Sequence, residues 1–499
     1  DVLVCVVNTC AVTQKAEQKA RREIRLLLQK CPASSVIVTG CYAQLAADKI
    51  AELAPRVAVL PGLCKDRLAD VPSLLSDFIE THEIFSAEDF SNLLTSTLFA
   101  DTKSHTGKAE ASFRLATDTF LAHSRSSLKI QDGCSSACSY CAIRIARGKS
   151  VSLPVRDVLS RIASLKAEGQ NEIVFTAVNI AQYRGEYDGA YYTFADLLEK
   201  ALDETSGLAF RISSMYPELV DDRFCRIVKD ELVRPHFHLS VQSGSDAILA
   251  AMNRSYRADD ILRSVSMLRR AKGNAFFACD IIAGFPGETD EDFSKTLELC
   301  RACGFAYVHV FPFSPRPGTR AFSMKPKVPS AAVRERVRLL SDFALQSKMS
   351  YIESICGTTV RAIAENVKEG DGAFHIRAVT ENFIHCKVSC AELPVPRPGA
   401  AIRVRILTPC IDAIRRGDEL EAEAEYAEKD EYYESDPVTS EVIGGVGFRI
   451  RKSKLSVVKQ MIKERLEWLI EEYCVRYNDE RALRLLVKYA ELEAEGEMV

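Results

Sequence analysis

Three cysteines lie close enough together in the sequence to act as one set of metal ligands. They occur in the segment Cys134-Ser-Ser-Ala-Cys138-Ser-Tyr-Cys141, after an apolar run at Leu128–Gln131 and the turn residues Asp132-Gly133. Three thiolates from one loop suit a four-iron cluster in which one iron has no protein ligand, and that open position can bind a substrate. A zinc site and unrelated core thiols are the alternatives. Zinc would want a fourth Cys or His, and residues 142–150 contain neither.

The composition favours metal ligation over disulfides for clustered cysteines. The chain has 17 cysteines in 499 residues, and its first residues show no export signal, so thiols are expected to stay reduced. No run of about 18 uncharged apolar residues occurs, which predicts a soluble cytoplasmic protein without a membrane segment. The net charge is −4. Residues 412–499 alone have a net charge of −8, so the remainder is mildly basic and could bind an anionic partner.

Alternating strand and helix patterns predict an α/β fold with two β/α domains. Residues 1–83 have βαβα order, which indicates a small flavodoxin-like parallel domain with Cys10 and Cys41 at the ends of strands. Residues 84–126 lack clear periodicity and are interpreted as a connection. Residues 127–352 contain six β/α units, which predict a partial (β/α)6 barrel with its chemistry at the strand ends. The predicted strands are Leu128–Gln131, Glu172–Thr176, Ala209–Ser213, His236–Val241, Ala275–Ile282 and Ala306–Phe311.

The C-terminal part of the chain changes character twice. Short β-rich runs in residues 353–427 predict a small β-barrel. Residues 428–499 are expected to form an acidic linker and a helical extension of unknown role. An apolar stripe at helical spacing within Lys454–Tyr477 supports that helix. It is read as a face packed on its own protein.

At the level of motifs, the chain resembles the radical S-adenosylmethionine (SAM) superfamily and, within it, the methylthiotransferases. The motifs that match in order are Asn8-Thr9-Cys10-Ala11-Val12, Thr39-Gly40-Cys41-Tyr42-Ala43, Lys129-Ile130-Gln131-Asp132-Gly133-Cys134, Ala146-Arg147-Gly148, Ser240-Val241-Gln242-Ser243-Gly244-Ser245-Asp246, Gly284-Phe285-Pro286-Gly287-Glu288-Thr289, His309-Val310-Phe311-Pro312 and Arg316-Pro317-Gly318-Thr319. The resemblance implies two four-iron, four-sulfur clusters and SAM as cofactors. Cys134, Cys138 and Cys141 would bind the SAM cluster and are the predicted catalytic residues.

The resemblance also assigns Cys10 and Cys41 to the second cluster, whose third cysteine should lie about 35 residues upstream of Cys10. We therefore expect the N-terminal domain to be truncated in this sequence. Cys5 could replace the third ligand, but a small buried thiol in an apolar strand is the commoner role. The pair Cys300 and Cys303 is read as structural.

The resemblance further predicts a SAM pocket lined by residues at the strand ends. These are Ala177, Asn179, Ser213, Ser214 and Gln242. Ala177 stands where the family usually has glycine, so its methyl group could crowd the ligand. Arg144 replaces a usual proline and could contact phosphate, although an exposed loop arginine is the ordinary case. The Gly284–Thr289 loop is only weak evidence for a phosphate site.

The resemblance is closest to the tRNA N6-threonylcarbamoyladenosine methylthiotransferases, and the β-rich segment resembles a TRAM domain. The expected function is transfer of a methylthio group to C2 of that nucleoside, next to the anticodon of tRNA. The expected partners are tRNA and a reducing electron donor, and the protein is expected to be a monomer. Isopentenyladenosine or a ribosomal-protein aspartate as acceptor, and a non-catalytic RNA-binding relative, remain alternatives.

Overall fold

The computed structural model describes residues 2–100, 113, 124–370, 373–390, 395–430, 438–443 and 446–451. The helix predicted within Lys454–Tyr477 lies outside these residues. The described helices include none that is both long and apolar enough to cross a membrane.

The N-terminal domain is a three-stranded parallel sheet with helices on both faces. Its strands are β1 (Val4–Thr9), β2 (Ser35–Gly40) and β3 (Val57–Val59), in that spatial order. Because both faces are covered, β2 is buried along its whole length, as expected of a central parallel strand. Its helices are Gln14–Lys30, Cys41–Leu45, Ala47–Ala51, Val71–Thr81 and Ala87–Ser96, with a 3-10 helix at Gly62–Asp70.

One of these helices lies within residues 84–126, the stretch interpreted as a connection. Ala87–Ser96 starts at the N-cap Ser86, whose hydroxyl accepts a hydrogen bond from Asp89 N at 3.2 Å. Phe90 and Leu94 are fully buried in a cluster with Ile37 of β2. The predicted connection therefore contains a helix that packs on the N-terminal sheet, which the sequence did not indicate because Ser and Thr dilute its apolar face.

The central domain is an open barrel of six parallel strands. They are β4 (Ser126–Asp132), β6 (Glu172–Ala177), β9 (Ala209–Ile212), β10 (His236–Gln242), β11 (Phe276–Ala283) and β12 (Tyr307–Pro312). β4, β6 and β9 form one half and β10, β11 and β12 the other, and parallel bridges Phe210↔Val233 and Met215↔Leu239 link the halves. β5 (Val151–Ser152) pairs antiparallel with β4, and β7 (Gly185–Tyr187) forms a hairpin with β8 (Ala190–Tyr192). The predicted partial (β/α)6 barrel is confirmed.

Helices return the chain between these strands. They are Ile143–Arg147, Val155–Ala167, Phe194–Glu204, Asp222–Ile227, Asp246–Ala251, Ala258–Ala271, Asp290–Cys303, Arg320–Ser323 and Ser330–Ile355, with 3-10 turns at Ile180–Gln182 and Pro217–Leu219. Thr193 and Thr289 start two of the helices with full capping boxes, in which the threonine and the aspartate three residues later satisfy each other's backbone N–H groups.

The C-terminal domain is a closed five-stranded barrel, as the sequence predicts. Its strands are β13 (Thr359–Gly370), β14 (Ala373–Thr380), β15 (His385–Cys390), β16 (Ala401–Pro409) and β17 (Ala422–Lys429), with a helix at Ile411–Arg416. Residues 438–451 contain a further hairpin of β18 (Val438–Ile443) and β19 (Val446–Arg451). The expectation of a linker and helix is wrong for this hairpin, since two β-rich runs flank Gly444-Gly445, a typical hairpin signal. The predicted boundaries at 83, 126, 352 and 427 stay predictions.

A buried ionic cluster joins the two barrels. Glu172 at the start of β6 accepts hydrogen bonds at 2.7 Å from the Nε atoms of Arg211 and Arg234, and all three side chains are at most 2% exposed. Arg211 also donates to the carbonyl oxygens of Thr380 and Glu381, at 3.2 and 3.0 Å, in the C-terminal barrel. The position of that barrel on the core therefore depends on a charge cluster without access to water.

Candidate active site between the N-terminal domain and the core barrel

The cysteine loop leaves β4 through a turn that only glycine can make. Gly133 has φ +67°, and a Cβ atom there would lie 2.1 Å from the carbonyl oxygen of Lys149. The same crossing brings Cys134 N within 3.1 Å of the carbonyl oxygen of Gly148. The chain after the loop thus packs against its start, which fixes where Cys134 lies.

Gln131 ties the end of β4 to the end of β6. Its fully buried amide accepts a hydrogen bond from Asn179 N at 2.9 Å and donates to Gly133 O and Ser150 Oγ, both at 2.8 Å. The Asn179 side chain caps the following 3-10 turn by accepting from Ala181 N at 3.2 Å. Asn179 therefore has a structural role, and its predicted SAM contact stays a prediction.

The three loop thiols lie within electrostatic reach of one another. Burial raises the pKa of Cys141 to about 11, and the neighbouring Cys138 and Cys134 contribute to this rise. Cys134 is buried, whereas Cys138 and Cys141 are half-buried. Among the described residues, no three Cys, His, Asp or Glu side chains are arranged to hold a metal ion. A four-iron cluster does not need such an arrangement, because each of its three cysteines binds a different iron.

Cys10 and Cys41 follow adjacent parallel strands, as predicted. Thr9 at the end of β1 pairs with Gly40 at the end of β2. Gly40 has φ +98°, and a Cβ atom there would lie 2.3 Å from the Thr9 carbonyl oxygen. Cys10 is exposed and Cys41 is buried. The strand ends therefore bring the two cysteines to one edge of the sheet.

Arg147 links the second-cluster residues to the core. Its Nε donates to Cys41 Sγ at 3.3 Å, and its Nη1 forms an ion pair with Asp132 at 3.0 Å, just before the cysteine loop. Cys5, by contrast, has Ser34 and Cys31 among its neighbours, and burial raises its pKa. This environment matches the structural reading of Cys5.

A cavity of about 370 Å³ lies between the N-terminal domain and the open ends of the barrel strands. Its volume is within the range of small-molecule sites. The lining residues come from both domains and are Ala11, Val12, Thr13, Cys41, Leu45, Tyr140, Cys141, Ala142, Ile143, Ala146, Ala177, Val178, Ser214, Tyr216, Ser240, Gln242, Asp280, Ile282, Phe311, Pro312, Phe313, Ser314 and Arg316. One cysteine from each predicted cluster, Cys41 and Cys141, therefore faces the same space.

Three of the five residues predicted for the SAM pocket line this cavity. They are Ala177, Ser214 and Gln242, whereas Asn179 and Ser213 do not line it. Gln242 ends β10 with φ +73°, a strained conformation for a residue other than glycine. Ser213 Oγ is buried and has no hydrogen-bond partner.

At the cavity and beside it lie titratable side chains to which the sequence assigned no role, although His309 and Arg316 belong to the matched motifs. Asp280 on β11 lies 2.9 Å from His238 Nε2, and His309 stacks on His238 with ring centroids 4.9 Å apart. Burial lowers the pKa of His309 to about 4, and His238 adds to the shift, so His309 is neutral at pH 7. Arg316 is 4% exposed, pairs with Glu17 of the N-terminal domain and has a buried Nε without a partner. Alternation along β11 and β12 could have placed Asp280 and His309 on one face.

Two weaker sequence hypotheses are settled by local contacts. In the Gly284–Thr289 loop, the Gly284 N–H donates to Glu288 Oε2 at 2.7 Å, and Arg336 binds the same carboxylate at 2.6 Å. The loop is closed by an internal carboxylate, which does not fit a phosphate site. Cys300 and Cys303 are buried in the main core, and burial raises the pKa of Cys303 to about 12. Arg144 is exposed, and its phosphate contact stays a prediction.

An open six-stranded barrel with a three-cysteine loop after its first strand, and a small α/β domain closing its mouth, defines a radical SAM enzyme of the methylthiotransferase class. Residues 128–300 match the model of the radical SAM superfamily, and residues 2–62 match that of uncharacterized protein family UPF0004. Threonylcarbamoyladenosine tRNA methylthiotransferase MtaB of Treponema pallidum is 40% identical over 445 residues, which are 81% of this chain and 90% of that protein. The chain belongs to this family of threonylcarbamoyladenosine tRNA methylthiotransferases.

Two other relatives show the breadth of the similarity. MtaB of Thermotoga maritima is 34% identical over 72% of this chain and 77% of its own length. A tRNA-2-methylthio-N(6)-dimethylallyladenosine synthase of Psychrobacter cryohalolentis is 32% identical over 73% of this chain and 72% of its own length.

Proposed function

We propose that the protein transfers a methylthio group to C2 of N6-threonylcarbamoyladenosine next to the anticodon of tRNA, using SAM and two four-iron, four-sulfur clusters. Cys134, Cys138 and Cys141 hold the SAM cluster, and Cys10 and Cys41 contribute to the second. The observation that carries the proposal is the cavity that Cys41 and Cys141 share. Residues that would hold the two clusters thus line one space, and a single substrate in that space could reach both clusters.

The cysteine loop fits the SAM cluster by its donor chemistry. All three donors are soft thiols from one loop, and Cys134 and Cys138 are close enough to Cys141 to contribute to its raised pKa. Bound there, a four-iron cluster with one open iron supplies the electron that cleaves SAM reductively. The three thiols must be deprotonated when they bind iron, and the raised pKa of Cys141 means that binding releases a proton.

The cavity residues position SAM and the substrate and exclude water. Ala177, Ser214 and Gln242 lie at or just after the ends of β6, β9 and β10 and would contact SAM. The N-terminal segment Ala11–Thr13 also lines the cavity. Walls from both domains would reduce the access of solvent to a reactive intermediate.

The membership of the family supports tRNA as the partner and the threonylcarbamoyl nucleoside as the acceptor. The closed five-stranded barrel after Thr359 is suited to hold the RNA while the modified base enters the cavity. The protein works in the cytoplasm as a monomer and takes electrons from a low-potential donor.

Nucleoside analysis tests the proposal. tRNA from a strain that lacks the gene should gain 2-methylthio-N6-threonylcarbamoyladenosine when the wild-type chain is supplied, and not when Cys134, Cys138 and Cys141 are all changed to alanine. Anaerobic reconstitution of that variant should lose about four irons per chain relative to wild type. Cys410→Ala is the matched control, because Cys410 is half-buried in the C-terminal domain. This variant should retain both the tRNA modification and the wild-type iron content.

Two outcomes would contradict the proposal in different ways. A methylthio group found only on isopentenyladenosine would leave the chemistry intact and change the substrate. An alanine variant that keeps the full wild-type iron content and still cleaves SAM would refute the assigned cluster.

A further inference from the structure

The last residue of the helix Asp246–Ala251 and the three residues that follow it hold the cysteine loop in place. Ser139 donates its N–H to Met252 O at 3.0 Å and its hydroxyl to Ala251 O at 2.8 Å. Asn253 has φ +60° and donates its side-chain amide to Ala137 O at 3.0 Å. The middle of the cysteine loop is therefore fixed by contacts from a part of the chain more than 110 residues away.

Arg254 is the last residue of this segment. Among the hydrogen bonds that the described residues form, it is the one residue of the segment that donates to a thiol. Its Nη1 donates to Cys138 Sγ at 3.4 Å. Its Nη2 donates to Ser240 O at 2.8 Å and its Nε to Tyr256 Oη at 2.6 Å. None of these three partners is a carboxylate, so none of them neutralises the guanidinium charge.

Aromatic rings hold the Arg254 guanidinium in place. Its central carbon lies 4.3 Å from the ring centroid of Tyr216 and 4.8 Å from that of Tyr256. A planar guanidinium stacks on such rings and keeps one orientation, which a lysine could not reproduce. The group is thus preorganised, at the edge of the cavity that Tyr216 also lines, to point one N–H at the Cys138 sulfur.

We propose that Arg254 is a positioning residue that raises the reduction potential of the cluster held by Cys138. Hydrogen bonds and positive charge near a ligating sulfur stabilise the form with the extra electron, and a partly desolvated charge acts more strongly than an exposed one. The cluster takes up one electron from the low-potential donor, and no covalent bond to the protein forms or breaks. Arg254 makes that uptake more favourable. This inference rests on the proposed function, since it requires the cluster at Cys134, Cys138 and Cys141.

The test is an anaerobic potentiometric titration of the reconstituted full chain, followed by electron paramagnetic resonance of the reduced cluster. Arg254→Met keeps the length and apolar packing of the side chain and removes the charge. Its cluster should have an equilibrium constant for reduction at least about tenfold smaller, which for a one-electron couple is a potential about 59 mV lower. The measurement reports the cluster itself and does not depend on turnover.

Two matched variants separate charge from support. Asn253→Ala removes the neutral contact to Ala137 O and leaves the guanidinium, so the potential should stay at the wild-type value even if less iron is retained. Arg269→Met removes another arginine that lies over an aromatic ring and donates to a backbone carbonyl, with its guanidinium 5.0 Å from Phe277 and Nη2 2.7 Å from Cys303 O. It too should leave the potential unchanged.

The outcomes distinguish this inference from the function on which it rests. A wild-type chain that binds no iron would refute the cluster assignment. A wild-type and an Arg254→Met chain that bind iron and have equal potentials would refute only the role of Arg254. An equal shift in Arg254→Met and Asn253→Ala would also refute it, because the effect would then come from loop support.

Discussion

Replacing Glu172 by glutamine should weaken the packing of the C-terminal five-stranded barrel on the central barrel. Burial alone would raise the pKa of Glu172, but Arg211 and Arg234 lower it from 4.5 to about 2. At about 1.36 kcal/mol per pKa unit, this difference corresponds to about 3 kcal/mol of stabilisation in the ionised form. Removing one partner of a buried ion pair costs about 3–5 kcal/mol, because the remaining charge is uncompensated. The two values agree on a loss of about 3 kcal/mol for Glu172→Gln at pH 7.

The sign of the pH dependence follows from the direction of the shift. The pKa of Glu172 in the folded protein is lower than the ordinary value of 4.5. The contribution of Glu172 to the stability of the protein is therefore complete above about pH 4.5 and is lost as the pH falls through about 2. The difference between wild type and Glu172→Gln should therefore be constant between pH 6 and 8 and shrink in acid.

Native-state hydrogen exchange is the suitable assay, since a chain of several domains need not unfold in one step. The free energy of opening should fall for peptides that contain β6 and β9 and stay unchanged for those of the N-terminal sheet. Glu335→Gln is the control, because Glu335 is 55% exposed in its pair with Arg338 and such solvent-exposed pairs contribute little to stability. A Glu172→Gln protein whose β6 and β9 amides exchange as in wild type would refute the reasoning.

Two further substitutions test how the site is built. Gly133→Ala places a methyl group against the Lys149 carbonyl at a positive φ, with a strain of about 1–3 kcal/mol, and should lower the iron content after reconstitution. Gly273→Ala is the control, because its methyl group meets no atom within 4 Å, and it should keep the wild-type iron content. Equal iron contents in the two variants would argue against the requirement for glycine in this turn. Arg316→Met leaves Glu17 without its buried partner and should weaken the docking of the N-terminal domain by about 1.5–3 kcal/mol. The expected result is faster proteolysis within residues 14–30. An unchanged digestion pattern would contradict this role of the ion pair.

The architecture was predictable where periodicity and turn residues agree. All six barrel strands were predicted within about two residues of their observed bounds, because each is an apolar run between helices with polar turns. The helix at residues 87–96 was missed because Ser and Thr dilute its apolar face. The hairpin at 438–451 was missed because the acidic residues before it favoured a solvated linker.

The sequence identified two cysteines of the cavity and three of the residues predicted for the SAM pocket, Ala177, Ser214 and Gln242. Cys41 and Cys141 were identified from motifs, and both face the cavity. Arg254 lies 116 residues from the thiol that it contacts, and no local pattern gives such a distance. In the sequence, a charged residue that contacts a functional group cannot be distinguished from an ordinary surface residue. Only the fold shows which sulfur or carboxylate such a residue contacts.

The shared wall of the cavity has a consequence for any attempt to divide the protein. An isolated barrel would lack Ala11–Thr13 and Cys41 and would leave its strand ends open to bulk solvent and dissolved oxygen. Such a fragment would keep the cysteine loop, but any reactive species made there would be quenched before it met a substrate. The C-terminal barrel contributes none of the residues that line the cavity, so its removal should leave this wall intact.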